Sequence, residues 1–192
     1  EHPVTEAITG LDLVEWQLRV ASGEPLPLKQ QDLCIQGHAI EARICAETPD
    51  NNFLPATGTL TVYRKPDCTA FERGVVRVDD GVREGQEVSV YYDPMLAKLI
   101  AWGPDRETAR LRLIKAIDSY AVVGVKTTLR FGRFVLEHPD FISGRFDTGF
   151  VAKNFSPDAL QPRPENSQWA AALAESYRPE ALERHDMPLV SR

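Results

Sequence analysis

The fold of this chain is decided by the stretch Gly-His-Ala-Ile-Glu-Ala-Arg-Ile-Cys-Ala-Glu, residues 37–47. It has no proline and no internal glycine, and its residues alternate in character as the two faces of a β-strand require. The residues predicted to face the core are His38, Ile40, Ala42 and Ile44. Glu41 and Arg43 then lie on the opposite face, roughly 7 Å apart along the strand.

Arg43 has two interpretations. A guanidinium on a strand is a permanently charged planar fork held in a fixed direction, and it suits carboxylate, phosphate or carbonyl oxygens. The alternative is an exposed strand face on which Glu41 and Arg43 form a weak ion pair, contributing about 0–1 kcal/mol. The spacing alone favours the ion pair, so a functional interpretation depends on motifs elsewhere in the chain.

The composition is that of a soluble globular protein. The chain has 192 residues, 43% of them hydrophobic and 26% charged, which is enough for one domain with a core and a short additional piece. The net charge of −6 argues against non-specific binding to nucleic acid. No apolar run approaches the 18 residues of a membrane span, and no signal peptide is visible. Because the chain begins at Glu1 rather than Met, we expect a segment of a longer polypeptide.

Cysteine and glycine motifs exclude several kinds of site. Cys34, Cys45 and Cys68 form no C-x-x-C motif and are odd in number, which predicts three free thiols in a reducing compartment. The four histidines are scattered, so no metal site is expected in this segment. The sequence also contains neither the phosphate-binding G-x-x-x-x-G-K-[ST] motif nor G-x-G-x-x-G.

The first third of the chain predicts two helices before the strand region. A short helical turn over residues 5–10 ends at Gly10. Asp12 can cap a second helix with Glu15 as the return partner of a capping box, and Gly23 ends it. The predicted apolar face of this second helix consists of Leu11, Val14, Leu18 and Ala21.

The middle of the chain predicts strands separated by turns. A loop over residues 48–58 is expected to be pinned to the core by Phe53 and Leu54. The predicted strands are residues 58–64, 75–78, 87–92 and the apolar run 95–102, for which a helix is the less favoured alternative.

Helices return after Pro104 and Asp105. The polar face of the first is predicted to be Arg106, Glu107, Arg110, Arg112 and Lys115. After a β-prone link over residues 121–125, Thr127 or Thr128 caps a helix that Pro139 stops, and His138 is interpreted as a helix-end residue rather than a ligand.

This order of elements predicts an α+β fold with a mainly antiparallel sheet flanked by helices. We expect one domain over residues 1–155. Residues 156–192 are expected to be a proline-rich linker and the start of the following segment, with an Ala-rich helix over 168–177 and a poorly ordered end.

Four motifs, in order and at the expected separations, resemble the C-terminal part of biotin carboxylase. They are residues 1–6 (Glu-His-Pro-Val-Thr-Glu), 37–43, 92–99 (Tyr-Asp-Pro-Met-Leu-Ala-Lys-Leu) and 123–127 (Val-Gly-Val-Lys-Thr). The resemblance covers residues 1–155 and implies the fold of that domain. The region of Trp16, with residues 51–55 and 147–150, is most similar to the biotin-containing α chain of acyl-CoA carboxylases, among them the 3-methylcrotonyl-CoA type.

The resemblance implies a two-stage ligase reaction in the intact protein. ATP and bicarbonate give carboxyphosphate, whose breakdown carboxylates N1′ of biotin on a carrier domain. By resemblance, Glu1 is the base that deprotonates bicarbonate. Arg43 stabilises the enolate-like oxygen formed when biotin loses its ureido proton. Asp93 orients groups of this site, and the simpler alternative is a turn cap before Pro94.

The resemblance also implies cofactors and partners. ATP and Mg or Mn would be bound mainly by an ATP-grasp domain expected to lie upstream of Glu1, and biotin would be carried by a domain outside this chain. The other expected partners are a second copy and a carboxyltransferase subunit, in the cytoplasm or, in a eukaryote, the mitochondrial matrix. The chain alone is expected to be inactive. The alternatives are a non-catalytic dimerisation or binding module of this fold and the equivalent part of pyruvate carboxylase.

Overall fold

The computed structural model describes residues 1–160. The α-helices of this part are α1 (Pro3–Thr9), α2 (Leu13–Ala21), α3 (Arg106–Asp118), α4 (Leu129–Glu137), α5 (Pro139–Ile142) and α6 (Phe150–Asn154). Its strands are β1 (His38–Cys45), β2 (Glu47–Thr48), β3 (Leu54–Pro55), β4 (Gly58–Thr59), β5 (Val62–Arg64), β6 (Val76–Asp80), β7 (Glu87–Val88), β8 (Met95–Gly103) and β9 (Ala121–Val123). The predicted helix over 168–177 and most of the predicted linker lie outside the described residues.

The compact unit comprises Glu1–Ala159, and the boundary at residue 155 stays a prediction. Among the helices of the described part, none is long and apolar enough to cross a bilayer. The described cysteines are all free thiols, as predicted.

A three-stranded antiparallel sheet in the order β1-β8-β6 forms the centre of the molecule. The buried central strand β8 is the apolar run that the sequence predicted as a strand. Gly37 fixes where β1 enters the sheet, because its φ is +69° and a Cβ there would lie 2.3 Å from the main-chain oxygen of Gly103. The predicted α+β architecture with an antiparallel sheet is confirmed.

One face of this sheet packs on α3 and α4 and forms the main core. The predicted inward face of β1 is confirmed, since Ile40, Ala42 and Ile44 belong to this cluster. Leu99 of β8 and Leu113 of α3 are fully buried there. Burying a leucine of this kind contributes about 1.5–3 kcal/mol, so the core formed between the sheet and α3 is the main source of stability.

The opposite face of the sheet is covered at one end by α1. Ala7 of α1 packs against Ala39 and Ile100, with Trp102 beside them. The helix ends at Gly10, which has the left-handed φ of 76° expected of a glycine cap. This confirms the predicted helical turn and leaves the other end of the same sheet face uncovered by α1.

A buried cluster of charges joins α1 to β6. The Arg77 guanidinium donates to Glu6 Oε2 at 2.6 Å and to both carboxylate oxygens of Asp79, at 2.8 and 2.6 Å. Only 8% of Arg77 is exposed. Burial opposes its charge, but the hydrogen bonds to Asp79 and Glu6 outweigh that effect and raise the pKa of Arg77.

Helix α2 begins at the predicted Asp12 cap but does not bury its apolar face. The predicted capping box does not form, because the Glu15 carboxylate pairs with Arg19. Asp12 caps the helix by accepting a hydrogen bond from the Glu15 amide at 2.9 Å. Val14 and Leu18 are nevertheless 57% and 66% exposed, and no residue of α2 is buried within the described chain. The sequence pattern correctly predicted that one face of α2 is apolar. Within residues 1–160, however, no other element packs against that face.

Two predicted strands are shorter than expected. The strand over 58–64 divides into β4 and β5, because Leu60 turns inward and is fully buried with Ala46 and Leu96 in a second small core. The strand over 87–92 ends at Val88, and Val90, Tyr91 and Tyr92 are exposed. The alternation of apolar and polar residues predicted too long a strand here, because the residues after Val88 have no strand to pair with in the described part of the chain.

Two side-chain predictions are also wrong. Arg110 was assigned to the wet face of α3, but it is only 7% exposed because its guanidinium donates to the Leu136 carbonyl at 2.8 Å while pairing with Glu107. In the predicted loop over 48–58, β2 and β3 pair as a short hairpin. Phe53 packs against Phe131 as expected, whereas Leu54 is 53% exposed and pins nothing.

Candidate functional site

Arg43 and Lys98 lie directly opposite each other on β1 and β8, on the sheet face that α1 leaves uncovered. The Arg43 carbonyl points away from β8, so this is a non-hydrogen-bonded pair, in which opposing side chains approach most closely. Two cations directly opposite repel each other, which is unfavourable in a purely structural sheet. Negative charge is therefore needed beside them, and Asp79, which faces Lys98 from β6, supplies some of it.

Glu41 supplies part of that negative charge. The Arg43 Nε lies 3.3 Å from Glu41 Oε1, and 65% of the Arg43 side chain is exposed against 16% of Glu41. The ion pair considered from the sequence therefore exists, but the guanidinium still presents most of its surface to solvent. Its remaining donors can bind an anion without first breaking a buried contact.

Glu1 approaches the same place through Lys98. The Lys98 Nζ donates to the Glu1 main-chain oxygen at 3.5 Å, and Glu1 itself is exposed. The structure thus brings Glu1 to the strand that carries the partner of Arg43. Sequence reasoning missed Lys98, although it was the one charge in the apolar run 95–102 and so the signal that could have found it.

Asp93 has the geometry of a turn cap. Its Oδ1 accepts a hydrogen bond from the Met95 amide at 2.8 Å, just where β8 begins. Met95 pairs with Cys45 across the sheet. Burial, with the nearby Glu47 and Asp93 carboxylates, raises the pKa of the Cys45 thiol to about 11. The contacts of Asp93 match the simpler alternative, and an orienting role toward Arg43 stays a prediction.

An open groove of about 700 Å³ lies beside Lys98 on this face. Its charged lining residues are Glu1, Glu6, Asp12, Arg77, Asp79, Asp80 and Lys98. Arg43 does not line the groove, but it lies opposite Lys98, which does. In the described part of the chain, no three His, Cys, Asp or Glu side chains are placed to hold a metal ion.

The main-chain groups near Arg43 that point away from β8 have their hydrogen-bond partner at the outer edge of β1. Lys98 is the partner of Arg43 within the sheet, and on the outer edge of β1 the Thr128 hydroxyl lies 3.0 Å from both the Arg43 carbonyl and the Cys45 amide. Thr128, in turn, donates its own amide to the Cys45 carbonyl at 3.1 Å. The sequence predicted Thr127 or Thr128 as a helix cap, but the hydroxyl of Thr128 is used by β1 and does not cap α4.

Comparison with models of known protein families identifies the family of this chain. The model of the biotin carboxylase C-terminal domain matches residues 41–153, more than half of the chain. The chain belongs to the biotin carboxylase family. A second model, the ATP-binding domain of the carbamoyl-phosphate synthase L chain, matches residues 1–29. This corrects the expectation that the ATP-binding part lies wholly upstream of Glu1, since a portion of it lies within this chain.

Individual relatives agree with the assignment to biotin carboxylase. The chain is 50% identical over 174 residues to the alpha chain of the mitochondrial methylcrotonoyl-CoA carboxylase of Dictyostelium discoideum, covering 91% of this chain and 24% of that protein. It is 47% identical over 151 residues to a pyruvate carboxylase chain of Methanothermobacter thermautotrophicus, covering 79% of this chain and 30% of that protein. The chain thus spans about a quarter to a third of the length of these relatives.

A solved biotin carboxylase shares the fold. The biotin carboxylase domain dimer of Hydrogenobacter thermophilus 2-oxoglutarate carboxylase, in complex with MgADP, ADP and bicarbonate, has a TM-score of 0.77 and 39% identity. The match covers 85% of this chain and 34% of that one. The resemblance expected from the four sequence motifs is confirmed, while the roles of Glu1, Arg43 and Asp93 stay predictions.

Proposed function

We propose that this chain is the biotin-facing part of an ATP-dependent biotin carboxylase, a ligase within an acyl-CoA carboxylase. The observation that carries the proposal is the grouping of Arg43, Lys98 and Glu1 at one open end of the sheet. Asp79 faces Lys98 from β6 and Glu41 pairs with Arg43, yet the exposed Arg43 side chain still has donors left for a further anion beside Lys98. A reaction in which bicarbonate enters and negative charge develops on the ureido oxygen of biotin needs such an arrangement.

Each residue then has a separate task. The Arg43 guanidinium is aimed at the oxygen on which charge develops, and its planar fork holds that oxygen in a fixed direction. The Glu1 carboxylate accepts the proton of bicarbonate. Lys98 keeps the main chain of Glu1 close to β8 and adds positive charge where the anion enters. Asp93 is proposed to orient this end of β8 through its hydrogen bond to Met95.

The groove fits a small anion better than a nucleotide. Its charged lining contains five carboxylates and two cations, and this excess of negative charge repels the highly charged triphosphate of a nucleotide more strongly than a singly charged anion such as bicarbonate. We therefore propose that ATP and Mg or Mn are bound mainly by the rest of the ATP-binding domain, of which residues 1–29 match a part. When bound there, the nucleotide and its metal would supply the phosphoryl group that activates bicarbonate.

The proposed partners follow from the same assignment. They are the remaining ATP-grasp domain, a domain that carries biotin, a second copy of the chain and a carboxyltransferase subunit. The Hydrogenobacter relative is a dimer, and the Dictyostelium relative is mitochondrial, which supports a homodimer in the mitochondrial matrix of a eukaryote or in the cytoplasm of a prokaryote.

A second candidate is the corresponding part of a pyruvate carboxylase. The 47% identity to the Methanothermobacter pyruvate carboxylase supports it almost as well as the 50% identity to the methylcrotonoyl-CoA carboxylase supports the first. Both candidates share the biotin carboxylation step and differ in the acceptor. Assaying the intact complex with 3-methylcrotonyl-CoA, with propionyl-CoA and with pyruvate distinguishes them.

The test of the shared step is Arg43→Lys in the full-length protein. Lysine keeps the charge but not the fork, so the rate of carboxybiotin formation is expected to fall on the order of 10²–10³-fold. Bicarbonate-dependent ATP hydrolysis without biotin should fall much less, because carboxyphosphate forms before biotin reacts. Both rates are measured on the same preparation.

The matched control is Arg64→Lys, which changes an exposed arginine on β5 away from the groove. It should leave both rates at the wild-type value. Equal losses of both rates in Arg43→Lys would mean that Arg43 acts before biotin reacts. Unchanged rates would return Arg43 to a weak surface ion pair and favour a non-catalytic module.

A further inference from the structure

Thr128 makes three hydrogen bonds to a short stretch of β1 that lies more than eighty residues earlier in the chain. Its hydroxyl lies 3.0 Å from the Arg43 carbonyl and 3.0 Å from the Cys45 amide, and its amide donates to the Cys45 carbonyl at 3.1 Å. Thr128 is only 8% exposed. The single hydroxyl thus donates to one main-chain group and accepts from another, on either side of Ile44.

These bonds lie where the sheet is least regular. β1 pairs with β8 on one edge only, and the register between them shifts between Ile44 and Cys45. Such irregularities bend a strand and change the direction of the side chains near them. Without Thr128, the outer edge of β1 at Arg43 and Cys45 would lose the partner that fixes the main chain opposite β8.

The direction of the Arg43 side chain depends on this main chain. The guanidinium is 65% exposed, and its contact with Glu41 Oε1 is 3.3 Å long, so the side chain itself has little to lock it in place. The position of its Cα–Cβ bond therefore sets where the side chain starts and which places the guanidinium can reach. A displacement on the order of 1 Å at a group aimed at a reacting atom can lower a rate about 10²-fold.

We propose that Thr128 is a positioning residue for biotin carboxylation, which acts by fixing the main chain of Arg43 from the outer edge of β1. The inference rests on the proposed function, since it takes Arg43 to be the group that faces biotin. Thr128 touches no substrate. Its hydroxyl bonds to main-chain groups of β1, as a neighbouring strand would, and so fixes the position from which the Arg43 side chain extends.

The test is Thr128→Val in the full-length protein. The valine side chain has nearly the same shape but can neither donate nor accept, so the Arg43 carbonyl and the Cys45 amide lose their partner while the main-chain bond from residue 128 to the Cys45 carbonyl remains. Carboxybiotin formation is expected to fall about 10–100-fold, and biotin-independent ATP hydrolysis much less. Thr128→Ser, which keeps the hydroxyl, should restore most of the rate. Thr127→Val is the matched control, because the neighbouring Thr127 side chain makes no hydrogen bond in the described structure.

A double-mutant cycle separates positioning from general stability. If Thr128 acts through Arg43, adding Thr128→Val to Arg43→Lys should lower carboxybiotin formation by less than threefold further. If the two losses multiply, Thr128 acts independently of Arg43 and the proposal is overturned. A wild-type rate in Thr128→Val alone also overturns it.

Hydrogen exchange provides a readout that does not depend on catalysis. The Cys45 amide donates to the Thr128 hydroxyl, so its exchange should accelerate in Thr128→Val and stay at the wild-type rate in Thr127→Val. Unchanged exchange at Cys45 would contradict the inference even if the variant were inactive. An inactive wild-type protein with this exchange difference intact would instead contradict the proposed function and leave the contact of Thr128 with β1 established.

Discussion

Replacing Arg77 with alanine should remove the attachment of α1 to β6 and leave two partly buried carboxylates, Glu6 and Asp79, without their arginine partner. Arg77 makes four charge-assisted hydrogen bonds, one to Glu6 and three to Asp79, with only 8% of the residue exposed. The Glu6 and Asp79 side chains are 14% and 12% exposed, so water can replace the guanidinium only in part. The loss is therefore an unpaired buried charge as well as a lost contact.

The magnitude follows from this burial. A hydrogen bond to a charged group contributes about 1.5–3 kcal/mol, but the four bonds of one guanidinium do not add independently. Breaking a buried ion pair costs about 3–5 kcal/mol, and we expect Arg77→Ala to fall in this range. For a chain of this size, that corresponds to a melting temperature lower by about 6–20 °C.

The assay is urea and thermal unfolding of the 192-residue chain, with two comparison variants. Arg73→Ala also removes one arginine, but its contact to Gln36 is 3.4 Å long and exposed, so the free energy of unfolding should change by less than about 0.5 kcal/mol. The triple variant Arg77→Met, Glu6→Gln and Asp79→Asn removes all three charges and should recover much of the loss.

A loss below about 1 kcal/mol in Arg77→Ala would refute the reasoning, since the carboxylates would then be adequately solvated without their partner. If the triple variant is as unstable as Arg77→Ala, the attachment of α1 depends on packing of the aliphatic part of the arginine side chain rather than on charge pairing.

Two further predictions concern the core and the thiols. Leu113→Ala should lower the free energy of unfolding by about 2–5 kcal/mol because Leu113 is fully buried, whereas Leu18→Ala, at a side chain 66% exposed, should change it by less than about 0.5 kcal/mol in chemical denaturation. Equal effects would mean that α2 is packed in solution. In native alkylation with iodoacetamide followed by mass spectrometry, the exposed Cys34 should react first at about pH 8. The alkylation rate of Cys45 should rise only as the pH approaches about 11, because its raised thiol pKa keeps the thiolate scarce below that value. Rapid alkylation of Cys45 at about pH 8 would contradict this.

Local signals made much of the fold predictable. The alternation over residues 37–47 places Ile40 and Ile44 in the core because a strand has only two faces. Asp12 and Asp105 cap the helices that follow them, since each carboxylate accepts from an amide three residues later. Such signals act within a few residues and can be recognised in one sequence.

The parts that could not be predicted depend on distant residues. Arg110 has the spacing of a surface residue, and only the approach of the Leu136 carbonyl makes its burial favourable. The hydroxyl of Thr128 has the pattern of a helix cap but bonds to β1. For the candidate site, the family motifs indicated Glu1 and Arg43. Lys98 could be associated with them only from the register of β1 and β8, which places it opposite Arg43.

The strand order β1-β8-β6 constrains the order of events during synthesis on the ribosome. β1 and β6 are made first, yet they do not pair with each other in the finished sheet, and each needs β8 as its neighbour. A nascent chain that has emerged only as far as residue 90 therefore contains two unpaired strands and no central one. Non-local pairing of this kind slows folding and leaves strand edges open to wrong partners. Stalling of translation before residue 95 should hence be the point at which the emerging chain depends most on a chaperone.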